Sequence, residues 1–215
     1  MDHAIKEWAS KLKARLPSIR GKLLQDNGIP HPELLEVVDA VDRTFLFDGY
    51  EKYFSELVPR GGPISLSHND AQENNILMSL ADNEKIILID YEYGGWNPFV
   101  YDLANYIDEC MLDNAYPKGV GVKVYYNNLP TAPEREILYR AFLEHYYNNY
   151  APDSEKVEGG FEAYWESMRE QVDREVKQCL LLNNFYWCIW ALTMLQDSDV
   201  CREDVFNYEF AKICT

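Results

Sequence analysis

The sequence predicts an α+β fold that is mainly α, with one small β element in the middle of the chain. Apolar residues recur at helical spacing before residue 60 and again after Pro98, and three short β-prone runs lie between these stretches. No internal repeat or low-complexity tract is present, and 215 residues suffice for one large domain with a sizeable core.

The opening segment "MDHAIKEWASKLKARL" repeats apolar residues at Ile5, Trp8, Ala9, Leu12 and Leu16, which is the spacing of an amphipathic helix, and its acids argue against a transit peptide. "GIPHPELLEVVDAV" uses Pro32 as a helix start, with Leu34, Leu35, Val38 and Val41 as the inward stripe. Two helices are therefore expected before Gly61, Gly62 and Pro63 break the pattern. "ISLS", "NNILMS" and "KIILID" then read as strands, the last two joined through "ADNE". After Pro98 the pattern is helical to the end, apart from an irregular stretch from Asp113 to Pro133.

Composition narrows the function. Lys and Arg total 20 against 36 Asp and Glu, and a formal charge of -16 repels phosphate backbones, so nucleic acid is an unexpected partner. Five Cys (110, 179, 188, 201, 214) form no CxxC pair, and their odd number fits reduced thiols and a cytoplasmic setting. No transmembrane segment is expected, since the most apolar run, 180 to 195, is short and is interrupted by Asn183 and Asn184.

"SLSHNDAQENNIL" (65 to 77) concentrates polar groups at a strand end. His68, Asp70 and Asn75 put an Asp and then, five positions on, an Asn in a loop after a strand, and Asp90 ends another strand 20 residues beyond Asp70. Phosphoryl transfer needs such a set. One carboxylate orients and deprotonates the attacking hydroxyl, while an amide oxygen and a second carboxylate hold Mg2+ against nucleotide phosphates. The spacing is that of a kinase catalytic loop followed by its metal-binding Asp.

"HNDAQENNIL" followed by "IDYEYGGWNPFVYDLANYIDE" resembles the two signature segments of choline and ethanolamine kinases, which share the protein-kinase-like fold. The likeness continues through "NNLPTAPEREILYRAFLEHY", "FYWCIWAL" and "FNYEFAKI". It implies Asp70 as the catalytic base, with His68 structuring its loop, Asn75 and Asp90 as Mg2+ ligands, and Asp102 bracing the loop. It also implies ATP as cosubstrate, choline or ethanolamine as the small-molecule substrate, and a homodimer as one assembly of the intact enzyme. Asn69 stands where many protein kinases carry Arg, and no APE-like activation segment follows Asp90, so a protein substrate is not expected.

A quaternary ammonium has no N–H to donate, so its site calls for aromatic faces and negative charge. Asp102, Asn105 and Glu109 share one face of a predicted helix, with Glu109 the candidate anionic contact, and Trp187 and Trp190 lie at i, i+3 on another. The resemblance adds Tyr93 and Tyr208 to the aromatic cage and Gln72 to the substrate-binding residues.

Other features carry less. "KGVGVK" (118 to 123) lacks the GK[ST] ending of a phosphate loop and reads as a mobile loop near the substrate mouth. His145 has no metal-ligand neighbours in sequence, and Glu162, Glu166 and Glu170 read as a solvated helix face. Nothing before residue 64 reads as a Gly-rich loop with a phosphate-contacting Lys on a strand. The expectation is therefore a helical lead-in over 1–63 and a kinase-like catalytic C-terminal lobe over 64–215, without the N-terminal ATP-binding lobe and inactive alone. Choline phosphorylation is the favoured activity. Ethanolamine phosphorylation, an aminoglycoside-type phosphotransferase, and a non-catalytic choline-binding or interaction module are the alternatives.

Overall fold

The computed structural model describes residues 2–25, 32–43, 50–60, 62–81, 85–116 and 121–194. Helix α1 (Asp2–Gln25) buries Ile5, Ala9, Leu12 and Leu16 of the predicted stripe, leaves Trp8 half-buried, adds Ile19 to the buried face, and continues through Pro17. Pro17 removes one backbone donor, a loss the buried stripe on both sides of it outweighs. Helix α2 (Pro32–Val41) buries Val37, Val38 and Val41, with Leu35 half-buried. Arg20 bonds Asp39 at 2.7 Å and Asp42 at 3.1 Å, tying α1 to α2.

A third helix precedes the strands where two were expected. Helix α3 (Tyr50–Leu57) is only eight residues long and offers Phe54 and Leu57 to the core, too few contacts for periodicity to announce it. The expected strands form as β1 (Ile64–Ser67), β2 (Ile76–Met78) and β3 (Ile86–Leu88), and a further strand, β4 (Gly95–Pro98), completes the region. β1 pairs antiparallel with β4, and β2 with β3. Ile64, Leu66, Leu77, Met78, Ile86, Ile87 and Trp96 of these strands are exposed.

Helix α4 (Tyr101–Glu109) follows, and the stretch expected to be irregular instead contains a hairpin, β5 (Leu112–Tyr116) with β6 (Gly121–Val124). "KGVGVK" is thus no simple loop. Residues 118–120 lie outside the described residues, but Gly121 and Val122 are in β6, and Val122 is buried in the core. Helices α5 (Ala132–Asn149) and α6 (Gly160–Met194) complete the fold.

With 35 residues, α6 is about 50 Å long and serves two cores. Its first half packs on α4 and α5 through Val172, Val176, Leu143, Tyr139 and Ile107. Its second half packs on α1 and α2 through Tyr186, Ile189 and Leu192. Among the described residues no helix is long and apolar enough to cross a membrane. His145 is on the surface, and Glu162, Glu166 and Glu170 are solvent-exposed on α6 as expected.

Candidate active site

The site forms where β1 ends, where β3 ends, and where α4 and the second half of α6 come up beneath them. After Ser67 the chain turns sharply at Asn69, whose φ of 69° is left-handed, and Asp90 at the end of β3 is left-handed too, at 63°. Asn and Asp tolerate this region better than other residues with a Cβ, and such positions gather at functional sites.

Asp102, in the first turn of α4, braces the first of these turns. Its Oδ2 accepts the His68 N–H at 2.8 Å and its Oδ1 the Asn69 N–H at 2.9 Å. Asn69 in turn donates through its side chain to the Tyr93 carbonyl at 2.6 Å. His68 Nδ1 accepts the Asp70 N–H at 3.3 Å, which places the ring proton on Nε2, 2.8 Å from the Ile89 carbonyl. His68 therefore ties the Asp70 loop to the strand that presents Asp90. It is buried and does not line the cavity described below.

Asp70 is buried, with two amides on one carboxylate oxygen. Oδ2 accepts from Asn75 Nδ2 at 2.9 Å and Gln72 Nε2 at 3.2 Å, and the Asp70 carbonyl accepts a second bond from Asn75 Nδ2 at 2.9 Å. Oδ1 makes no hydrogen bond among the described residues. Burial raises the carboxyl above the usual carboxylate range, the bonds from Gln72 and Asn75 and the nearby His68 oppose it, and Asp90 adds to the rise. The Asp102 carboxyl is likewise raised by burial, against the Asn69 and His68 N–H bonds.

Asn75 and Asp90 meet through the main chain, because Ile89 N–H donates to the Asn75 carbonyl at 3.0 Å. Asn75 Nδ2 is committed to Asp70, its Oδ1 makes no hydrogen bond among the described residues, and the Asp90 side chain is exposed. No group of three or more His, Cys, Asp or Glu among the described residues could hold a metal alone. Two hard oxygen donors suit Mg2+, which completes its shell with phosphate oxygens and water.

Asp70 and Asp90 open into a cavity of about 270 Å³, lined also by Gln72, Tyr93, Glu109, Trp187 and Trp190. Each of these residues was expected from the sequence, whereas Glu92 and Asn114, which complete the lining, were not. Glu92 stands inside the second signature beside Tyr93. Asn114 carries no motif of its own, and its bonds to Glu73 and Glu109 hold it there. Tyr93 packs edge-on against Trp187 at 5.1 Å and Trp190 at 6.4 Å between ring centroids, and the two Trp rings lie 5.4 Å apart. Gly94 turns the chain back under Tyr93, and a Cβ there would meet the Tyr91 carbonyl oxygen at 3.0 Å.

Among the described residues four carboxyl groups and no Lys or Arg line the cavity, a surround suited to a cation. Glu109 is pushed up to about 8, chiefly by burial, with its Asn114 bond opposing and Asp70, Glu73 and Asp108 adding.

Asn105 departs from its expected place in the substrate site. It is fully buried, its Oδ1 accepting the Ala71 N–H at 2.6 Å and its Nδ2 donating to Asn183 Oδ1 at 3.2 Å. It positions the loop from beneath because α4 runs below residues 68–71, so its amide meets the backbone before it reaches the cavity. Asn183 and Asn184, which break the apolar run of α6, donate to Asp108 at 2.7 and 3.1 Å. Tyr208 lies outside the described residues.

An Asp loop after a strand, an Asn five positions on, and a second strand-ended Asp above a helical lobe define a protein-kinase-like fold. Two solved structures share it. A choline kinase from Cryptosporidium parvum Iowa II matches with a TM-score of 0.62 at 20% identity, over 99% of this chain and 53% of that one. An ethanolamine kinase from Plasmodium vivax matches with 0.54 at 19% identity, over 95% and 47%. The family model for choline/ethanolamine kinase matches residues 4–213, and the chain belongs to that family. It is 26% identical to a human choline/ethanolamine kinase over 83% of this chain, and 28% identical to mouse ethanolamine kinase 1 over 80%. It spans 43% and 40% of the length of these two relatives.

Proposed function

We propose that this chain carries the catalytic and amine-binding half of an enzyme that phosphorylates the hydroxyl of a small amino alcohol with ATP, choline being the favoured substrate. The observation that carries the reading is Asp70. Its Oδ2 is held by two amides, and its Oδ1 is left to accept a proton in a cavity walled by Tyr93, Trp187 and Trp190.

Asp70 would orient the substrate hydroxyl and take its proton as the oxygen attacks the γ-phosphorus and the bond to the β,γ-bridging oxygen breaks, with ADP leaving, and a carboxyl raised by burial is a better base for this than an ordinary one. Mg2+ would be held by Asn75 Oδ1 and Asp90, and when bound it neutralises phosphate charge. The aromatic wall would take the ammonium by cation–π contact, and the entering cation would draw the raised Glu109 carboxyl back down, its proton passing to solvent, so that Glu109 supplies the opposite charge in the complex. In the whole protein, a nucleotide-covering segment beyond this chain would lie on the exposed apolar strands β2 and β3, since a two-stranded hairpin with bare apolar side chains is marginal by itself.

The polar side of the cavity supports ethanolamine as a second reading, because Gln72, Glu109 and Asn114 can accept N–H bonds that choline does not offer.

The test is steady-state kinetics of Asp70→Ala in the protein extended to the length of its relatives. Activity on either amine in the unmutated protein and a fall in kcat of about two to four decades in the variant are expected. An Asp70→Ala variant near wild type would remove the reading.

A further inference from the structure

We propose that Asn114 is a specificity-determining residue of the amine site, which keeps amines that carry N–H groups competitive at a cavity whose aromatic wall otherwise favours a quaternary ammonium. The inference rests on the amine-kinase reading above and names which side chain sets the choice within it.

Asn114 sits on β5 and touches two acids from different elements. Its Nδ2 donates to Glu109 Oε2, at the end of α4, at 2.9 Å and to Glu73 Oε2 at 3.2 Å. Its backbone N–H donates to the other oxygen of Glu73 at 3.1 Å. Glu73 opens a short 3-10 turn that ends at Asn75. One side chain therefore joins the hairpin, the amine wall and the loop that carries Asn75.

The geometry fixes which way the amide faces. Both side-chain N–H groups of Asn114 meet carboxyl oxygens, and the opposite assignment would set its oxygen against the Glu73 carboxylate. Oδ1 accepts no bond among the described residues, in a side chain that lines the same cavity as Tyr93, Trp187 and Trp190. A primary ammonium bound against the aromatic wall has three N–H donors to spend, and Oδ1 and Glu109 are acceptors placed to take them. A trimethylammonium group has none. It meets in Oδ1 an acceptor that it must desolvate without compensation, which works against choline at this wall.

Asn114 is a half-buried residue in the middle of β5, where the pairing with β6 is irregular, so its replacement is not a core deletion. The test titrates the 215-residue chain with ethanolamine and with choline by calorimetry, following the fluorescence of Trp187 and Trp190 in parallel, for wild type, Asn114→Leu and Asn114→Ser. Displacement of Glu109 weakens both amines, so the readout is the ratio of the two affinities. In both variants the preference for choline over ethanolamine is expected to rise by about tenfold, the loss of one hydrogen bond to a charged donor. Thermal melts accompany each titration, and if Asn114→Leu fails to fold, Asn114→Ser carries the comparison. A ratio within about twofold of wild type in a folded variant would overturn the inference while leaving the kinase reading intact. A wild-type chain that binds neither amine would overturn both.

Discussion

Asn69 holds a left-handed φ of 69° with its N–H 2.9 Å from Asp102 Oδ1. The two residues are 33 positions apart, so an unfavourable local conformation is maintained by a carboxylate from another element. Asp102 anchors His68 with its other oxygen, and the loop that carries Asp70 thereby gains a fixed floor.

Asp102→Asn is therefore expected to destabilise the chain. An amide replaces one acceptor with a donor and sets N–H against N–H. Loss of a hydrogen bond to a charged group costs about 1.5 to 3 kcal/mol, which urea unfolding would measure. Amide exchange at residues 68 and 69 should accelerate in the same variant. An unfolding free energy unchanged within about 0.5 kcal/mol would show that the turn does not depend on Asp102.

Replacing the Trp residues separates wall from core. Trp187 is buried and Trp190 half-buried, so Trp187→Ala should carry the larger folding cost, about 3 to 5 kcal/mol for a buried aromatic. Either change should weaken choline by roughly 2- to 30-fold, and ethanolamine by less. Equal losses for both amines in a variant with a collapsed melting temperature would reduce these rings to packing.

The buried acids predict a pH effect of definite sign. Glu109 moves from an ordinary 4.5 to about 8 on folding, and Asp108 from 3.8 to about 6. The folded chain thus binds protons that the unfolded chain has released. Stability from these groups is full at low pH and falls as pH rises through the window from about 4 to about 8. Melting temperature measured across that range should decline toward the alkaline side, and Glu109→Gln should flatten the upper part of the slope. A Glu109→Gln profile parallel to wild type would show that this carboxyl is not neutral in the folded state.

Local patterns carried much of this protein. The stripe of α1, the three expected strands and the Asp70, Asn75 and Asp90 spacing were legible because each depends on residues close in sequence. Helical periodicity needs one neighbouring face, and a catalytic loop needs a few consecutive positions at a strand end. Gln72, Tyr93, Glu109, Trp187 and Trp190 line one cavity as their motifs suggested.

Tertiary structure decided what long-range partners decide. Asn105 reaches Ala71 across 34 positions, Asn114 reaches Glu73 across 41, and Asn183 reaches Asp108 across 75. An amide on a helix face is equally able to bind a substrate or a backbone N–H, and only the packing of α4 under the loop assigned Asn105 to the backbone. The β5–β6 hairpin and the short helix α3 went unread because few of their residues show a periodic signal. Their form is set by a cross-strand partner in one case and by two cores already assembled by α6 in the other. Hydrogen-bonding side chains have no fixed partner until the chain has folded around them, which is why the spacing of Asp70, Asn75 and Asp90 is legible in the sequence and the place of Asn114 in the cavity is not.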